Sequence, residues 1–228
     1  MTEVETGRKI FIYIYALTMN YKFITIEGNI GAGKTTLSNL MQKHFGANLI
    51  LEQFADNPFL PKFYKDRDKY SFPLELSFLA DRYRQLKEML NTRDLFSQYV
   101  ISDYLFIKSK LFAKINLPED EYKLYETLFD IIYPNLPEPD LLIYLHAPLE
   151  KLKDNIRKRN RDYEQDMDED YLIELQNAYL QLIKTEKFKT LIIDTTQTDF
   201  LHNPNHFQQL LVHLEKEYEK GRHFIHFS

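Results

Sequence analysis

The sequence predicts an α/β three-layer sandwich: a five-stranded parallel sheet with helices on both faces. Three observations carry this. Continuous apolar runs at residues 23–26, 49–51, 99–101, 141–145 and 191–193 suit strands buried on both faces of a parallel sheet. Helical stretches separate these runs, and that alternation marks a doubly wound sheet. Between the first run and the next helix stands Gly28-Asn29-Ile30-Gly31-Ala32-Gly33-Lys34-Thr35, which matches G-x-x-x-x-G-K-[ST], the phosphate-binding loop.

Residues 1–18 look foreign to the rest and read as an extension, with 19–228 forming one domain. The apolar run Ile10-Phe11-Ile12-Tyr13-Ile14-Tyr15-Ala16-Leu17 has the length of a signal-peptide core. However, Glu3 and Glu5 precede it and no small-residue cleavage site follows. Met19 stands just before the first strand and would serve as a start. That strand ends at Glu27 and enters the glycine-rich loop, where consecutive backbone N–H groups turn inward around phosphate oxygens. Lys34 brings a positive charge to the β- and γ-phosphates, and the Thr35 hydroxyl suits Mg²⁺. Thr35 and Thr36 open a helix whose positive N-terminus faces the anion, and Gly46 stops it. The sandwich is therefore of the P-loop NTPase type.

Ligands of such sheets collect at the carboxyl ends of the strands, which here carry Glu27, Glu52, Asp103, His146 and Asp194. Glu52 is either a base for an attacking hydroxyl or a loop charge. Asp103 is either a holder of Mg²⁺ or a turn residue. A helix over residues 73–90 places Glu75, Phe78, Leu79, Arg82, Tyr83 and Leu86 on one face. Two charges on an apolar stripe are either a buried Glu–Arg pair or a polar clamp for a flat ligand such as a nucleobase. Arg157, Arg159 and Arg161 follow a helix opened by Pro148; the first and last are i,i+4 neighbours while Arg159 points elsewhere. That run is either a solvated face or a mobile lid that neutralises transition-state charge. His202, His206 and His213 show no metal-ligand spacing and read as surface.

Composition narrows the classes. A net charge of −5 does not suggest a nucleic-acid surface. The absence of cysteine excludes disulfides and thiolate chemistry and fits a reducing cytoplasm. No apolar run reaches the length of a membrane span.

Together these segments resemble the deoxynucleoside kinase family over residues 21–200. Ile26-Glu27-Gly28-Asn29-Ile30-Gly31-Ala32-Gly33-Lys34-Thr35 is very close to the family's phosphate loop. Glu52 falls where the family keeps its general base, with Glu52-Gln53-Phe54 in place of Glu-Pro-Val. Phe63-Tyr64 resembles the segment whose tyrosine bonds the sugar 3′-hydroxyl, and Leu79-Ala80-Asp81-Arg82-Tyr83-Arg84 the arginine-bearing helix at the base pocket. Arg157 to Gln165 is similar to the lid (about 157–168), whose glutamate, here Glu164, also reaches the sugar. Asp194 to Phe200 looks like the loop that holds the donor base, which gives Asp199 and Phe200.

The resemblance implies salvage phosphorylation of a deoxynucleoside 5′-hydroxyl by ATP with Mg²⁺, in a cytoplasmic homodimer. Glu52, Lys34, Arg159 and Arg161 would be catalytic. The loop from Gly28 to Thr36 with Arg157, Asp199 and Phe200 would hold ATP, and Thr35 and Asp103 the metal. Glu52, Tyr64, Glu75, Arg82, Asp103, Lys108 and Glu164 would meet the nucleoside. Two departures from the family pattern matter. Ser102-Asp103-Tyr104 lacks the arginine usual after the acid, and Lys108 is the candidate replacement. Glu75 stands where a base-reading glutamine is usual; an ionised carboxylate has only acceptors, which favours guanine and purines over thymidine. A thymidylate kinase would want an Asp-Arg pair after the third strand, and a non-catalytic nucleotide sensor would not need Glu52, Tyr64 and an arginine lid together.

Overall fold

The computed structural model describes residues 19–54, 57–91, 98–164, 167–185 and 187–227, with side chains except at 89–91. The extension at 1–18 and Gln165 of the lid lie outside the described residues. The strands are β1 (Phe23–Gly28), β2 (Asn48–Ile50), β3 (Val100–Ser102), β4 (Leu141–His146), β5 (Lys189–Asp194) and β6 (Gly221–Ile225). They form one sheet in the order β2-β3-β1-β4-β5-β6, every pair parallel. The helices are α1 (Lys34–Phe45), α2 (Leu60–Phe63), α3 (Arg67–Asn91), α4 (Lys108–Asn116), α5 (Glu119–Ile132), α6 (Leu149–Arg159), α7 (Glu169–Thr185) and α8 (Pro204–Leu214).

Alternate residues of the central strands feed two separate cores. In β4, Ile143 and Leu145 pack with Leu37 and Met41 of α1, Leu152 of α6 and Leu210 and Leu214 of α8. Leu142 and Tyr144 face the other way, toward Leu74, Phe78 and Leu79 of α3, Phe129 of α5 and Leu175 and Tyr179 of α7. Both faces are covered, which is why these strands read as continuous apolar runs.

Three expectations need correction. Among the described residues the sheet has six strands, not five. β6 reads Gly-Arg-His-Phe-Ile, pairs among the described residues only with β5, and leaves Phe224 65% exposed while Ile225 is buried, so an edge strand half in water has no apolar run to betray it. The third helix begins at Arg67 rather than at residue 73, with Pro73 inside it. A proline has no N–H to give to the preceding turn, yet packing of the apolar stripe carries the helix through. His206 is buried, not at the surface: the Asp199 backbone N–H donates to its Nδ1 at 2.9 Å, and its ring stacks on Phe227.

Candidate active site

β1 is central, so its loop opens at the carboxyl edge of the sheet between the ends of β3 and β4. Gly28 lies so close to β4 that a Cβ there would meet the Leu145 carbonyl oxygen at 2.7 Å. Gly31 has φ of 82° and a Cβ would meet the Leu152 carbonyl oxygen, again at 2.7 Å, so both positions require glycine. Asn29 is buried and ties the loop to α7, its Nδ2 donating to the Leu172 carbonyl at 2.8 Å. Ile30, Gly31, Ala32, Gly33, Lys34, Thr35 and Thr36 line a cavity of about 850 Å³. Lys34 Nζ donates to the carbonyls of Gly28 (2.9 Å) and Asn29 (3.0 Å). Burial and then the nearby Lys108 lower its pKa.

The carboxylates at the ends of β2 and β3 meet beside this loop. Thr35 Oγ1 donates to Asp103 Oδ2 at 2.7 Å, and the Glu52 backbone N–H donates to Asp103 Oδ1 at 2.7 Å. Burial raises the Asp103 pKa against those bonds. Glu52 is gripped from both sides. Arg82 Nε donates to its Oε1 at 2.8 Å, and Lys108 Nζ to its Oε2 at 2.8 Å. Burial pushes the Glu52 carboxyl up, but Lys108 and Arg82 outweigh it and hold it far below the usual carboxylate range. Behind Lys108 stands Glu27, 3.6 Å away and 1% exposed, which accepts from the backbone N–H groups of Gly28 and Leu105 and from the Tyr179 hydroxyl.

Glu75 and Arg82 share one face of α3, but they do not form the buried pair that the sequence allows. Arg82 turns to Glu52 and to the Ser109 hydroxyl (2.7 Å), whereas Glu75 Oε1 accepts from Asn116 Nδ2 at 2.7 Å. The reason is reach: α4 brings Lys108, Ser109 and Asn116 against α3 and offers each charge its own partner. Burial pushes the Glu75 carboxyl up to about 7, with the Asn116 bond opposing.

The arginine run is also rearranged. α6 ends at Arg159 because Asn160 takes a left-handed conformation (φ 52°). Arg161 therefore leaves the helix, and both Arg159 and Arg161, expected to diverge, converge on the buried carboxylate of Glu164. Arg161 also lies over the Phe54 ring at 3.8 Å. Tyr64, the first residue beyond α2, stacks on Tyr163, which neighbours Glu164. Tyr64, Arg159, Arg161 and Glu164 all line the cavity, as do Asp199 and Phe200 at its other end. Arg157 does not line it and pairs with exposed Asp154 instead. Lys158 and Lys151 do line it, and nothing in the sequence singles them out. Lys151 Nζ donates to the carbonyls of Thr195 and Thr198 and so pins the loop that carries Asp199. Phe112, Asn116, Tyr171 and Tyr179 also line the cavity, and the sequence singles out none of them.

A six-stranded parallel sheet with the phosphate loop after its central strand, and cationic groups facing it across a deep cleft, is the frame of a P-loop kinase. Comparison with known proteins narrows that class. The profile described as "Deoxynucleoside kinase" matches residues 24–218. A deoxyguanosine kinase of Bacillus subtilis is 36% identical over 202 residues, covering 85% of this chain and 96% of its own length. A deoxyadenosine kinase of Dictyostelium discoideum is 31% identical over 204 residues, covering 87% of this chain and 80% of its own. The structure of a deoxyadenosine kinase from M. mycoides with bound dATP superposes with a TM-score of 0.75 at 26% identity, over 85% of this chain and 99% of that one. The chain belongs to the deoxynucleoside kinase family, and it is a nucleoside-phosphorylating enzyme.

Proposed function

We propose that the enzyme transfers the γ-phosphoryl group of ATP to the 5′-hydroxyl of a purine deoxynucleoside, deoxyguanosine ahead of deoxyadenosine. The observation that carries this is one continuous cavity, which runs from the phosphate loop past Glu52 to the buried carboxylate of Glu75. Its length holds donor phosphates at one end and a nucleoside at the other. The names of its relatives, deoxyguanosine and deoxyadenosine kinases, support the same reading.

In this reading the 5′-oxygen attacks the γ-phosphorus, the bond to the β–γ bridging oxygen breaks, and Glu52 takes the hydroxyl proton. The loop amides and Lys34 hold the donor phosphates. Arg159 and Arg161 neutralise charge on the group in transit. Tyr64 and Glu164 meet the sugar, and Phe78, Phe112 and Glu75 surround the base. Thr35 Oγ1 and the Asp103 carboxylate, 2.7 Å apart beside the phosphate loop, are hard oxygen donors of the kind Mg²⁺ takes alongside phosphates. That ion, when bound, neutralises phosphate charge. Among the described residues no cluster of three or more His, Asp or Glu side chains offers an all-protein metal site, which suits an ion brought in with ATP. The proposal includes a homodimer, supported by the exposed Leu124 and Ile131 of α5, and sedimentation velocity measures that state.

The test is a panel of deoxynucleosides, ribonucleosides and nucleoside monophosphates assayed with Mg-ATP. Deoxyguanosine and deoxyadenosine are expected to be the best acceptors. Dominant use of thymidine, or of a monophosphate, would reject the proposal.

A further inference from the structure

The deep end of the cavity holds a carboxylate that phosphoryl transfer does not use. Glu75 is 1% exposed. Its Oε1 accepts from Asn116 Nδ2, which also donates to the Tyr171 hydroxyl at 3.2 Å. Its Oε2 is buried and has no hydrogen-bond partner among the described residues. A buried, unpaired carboxylate oxygen is costly, so it calls for a proton or for a ligand's donor.

The surrounding cations favour the ionised form without pairing with it. From α3 itself comes Arg82, and from the segment after β2 comes Glu52; α4 contributes Lys108 and Asn116, α5 Tyr125 and α7 Tyr171. Both cations are bonded to Glu52. Tyr125 donates to the Glu75 backbone carbonyl at 3.5 Å rather than to its carboxylate. Burial therefore dominates and brings the carboxyl to about 7, so both of its forms are populated near neutrality.

The two forms present different faces. Ionised, the group has acceptors only; protonated, it has one donor beside an acceptor. We propose that Glu75, held by Asn116, reads the purine in two forms: the bare carboxylate accepts from N1–H and the 2-amino group of guanine, and the carboxylic acid donates to N1 of adenine while accepting from its 6-amino group. A carboxyl oxygen has two lone pairs, so Oε1 serves Asn116 and the base together. This rests on the purine-deoxynucleoside reading above. The choice between the two purines then depends on pH, because one substrate uses the ionised and the other the protonated enzyme. Deoxyinosine, with N1–H, follows deoxyguanosine, and deoxycytidine, with an acceptor beside an amino group, follows deoxyadenosine.

The experiment measures kcat/KM for deoxyguanosine and deoxyadenosine on the full chain with saturating Mg-ATP, from about pH 5.5 to about pH 8.5. Effects of pH on Glu52 and on ATP binding are common to both substrates and cancel in the ratio. The ratio of deoxyguanosine to deoxyadenosine is expected to rise with pH, by at most about tenfold per unit. In Glu75→Gln the ratio is expected to be flat. In Asn116→Ala the rise is expected at higher pH, because the lost bond favoured the ionised form. A merely structural Asn116 would lower stability without moving that transition, and an unmoved transition would overturn its part. A flat wild-type ratio, or the same slope in Glu75→Gln, would overturn the whole; those two measurements decide the matter even where Asn116→Ala does not fold. Purine turnover with a flat ratio rejects this inference alone, whereas turnover of thymidine only rejects the substrate reading with it.

Discussion

Glu52 shares its carboxylate between the guanidinium of Arg82 and the ammonium of Lys108. Both cations stabilise the ionised form, so the group is always ready to accept a proton but has little affinity for one. In the proposed mechanism the proton therefore passes to Glu52 late, once bonding of the 5′-oxygen to phosphorus has made its hydroxyl acidic. Glu52→Gln is expected to lower kcat by about 10²–10⁴-fold. ATP affinity, measured by titration without nucleoside, should hardly change because the phosphate loop is untouched. Lys108→Met removes one of the cations. The Glu52 pKa, depressed in the wild type, then rises, and activity that needs the ionised form is lost at a higher pH on the acid side. The acid limb of kcat/KM is expected to move upward in Lys108→Met, and a profile that superposes on the wild type would take Lys108 out of the tuning of Glu52.

At the scale of the element, the proposed lid shows how a helix end decides which arginines meet. Arg157, Arg159 and Arg161 look alike in the sequence, and a continued helix would spread them around its surface. The left-handed Asn160 ends α6, which leaves Arg157 on the exposed side with Asp154 and swings Arg161 onto Glu164 beside Arg159. Arg159→Ala and Arg161→Ala are each expected to lower kcat and kcat/KM together, as groups acting mainly in the transition state do. Both bind one carboxylate, so the double variant should fall short of the product of the two single losses. Arg157→Ala is expected to change neither constant. A solvated face would instead give three variants that differ only in melting temperature.

Across the whole molecule, what could be read from the sequence follows from burial. The strands covered on both faces announced themselves as apolar runs, whereas β6, with only Ile225 buried, did not. The phosphate loop and Glu52, Arg82 and Asp103 could be found because strand ends and charges on an apolar stripe are local patterns. Their pairing could not: Lys108 and Glu27 were singled out without their contacts and Asn116 not at all, because they meet across sequence separations that no local pattern encodes. The same long reach joins Asn20 and Tyr21 to the end of α8 and the segment after it. The Tyr21 hydroxyl donates to the Lys216 carbonyl at 2.7 Å and accepts from the Tyr218 N–H at 3.1 Å, and the Asn20 N–H donates to the Leu214 carbonyl at 3.3 Å. Met19 and Tyr21 are buried in the core on that side of the sheet. The proposed domain boundary at Met19 keeps both buried residues. A chain beginning at Met19 is expected to keep the melting temperature and kcat/KM of the full chain. A chain beginning at Lys22 loses the buried Tyr21 and its bonds, and is expected to be less stable by on the order of 3 kcal/mol in urea unfolding. If the Met19 chain were instead the one to lose soluble protein, residues 1–18 would have to pack on the domain or between two copies, and the boundary at Met19 would be wrong.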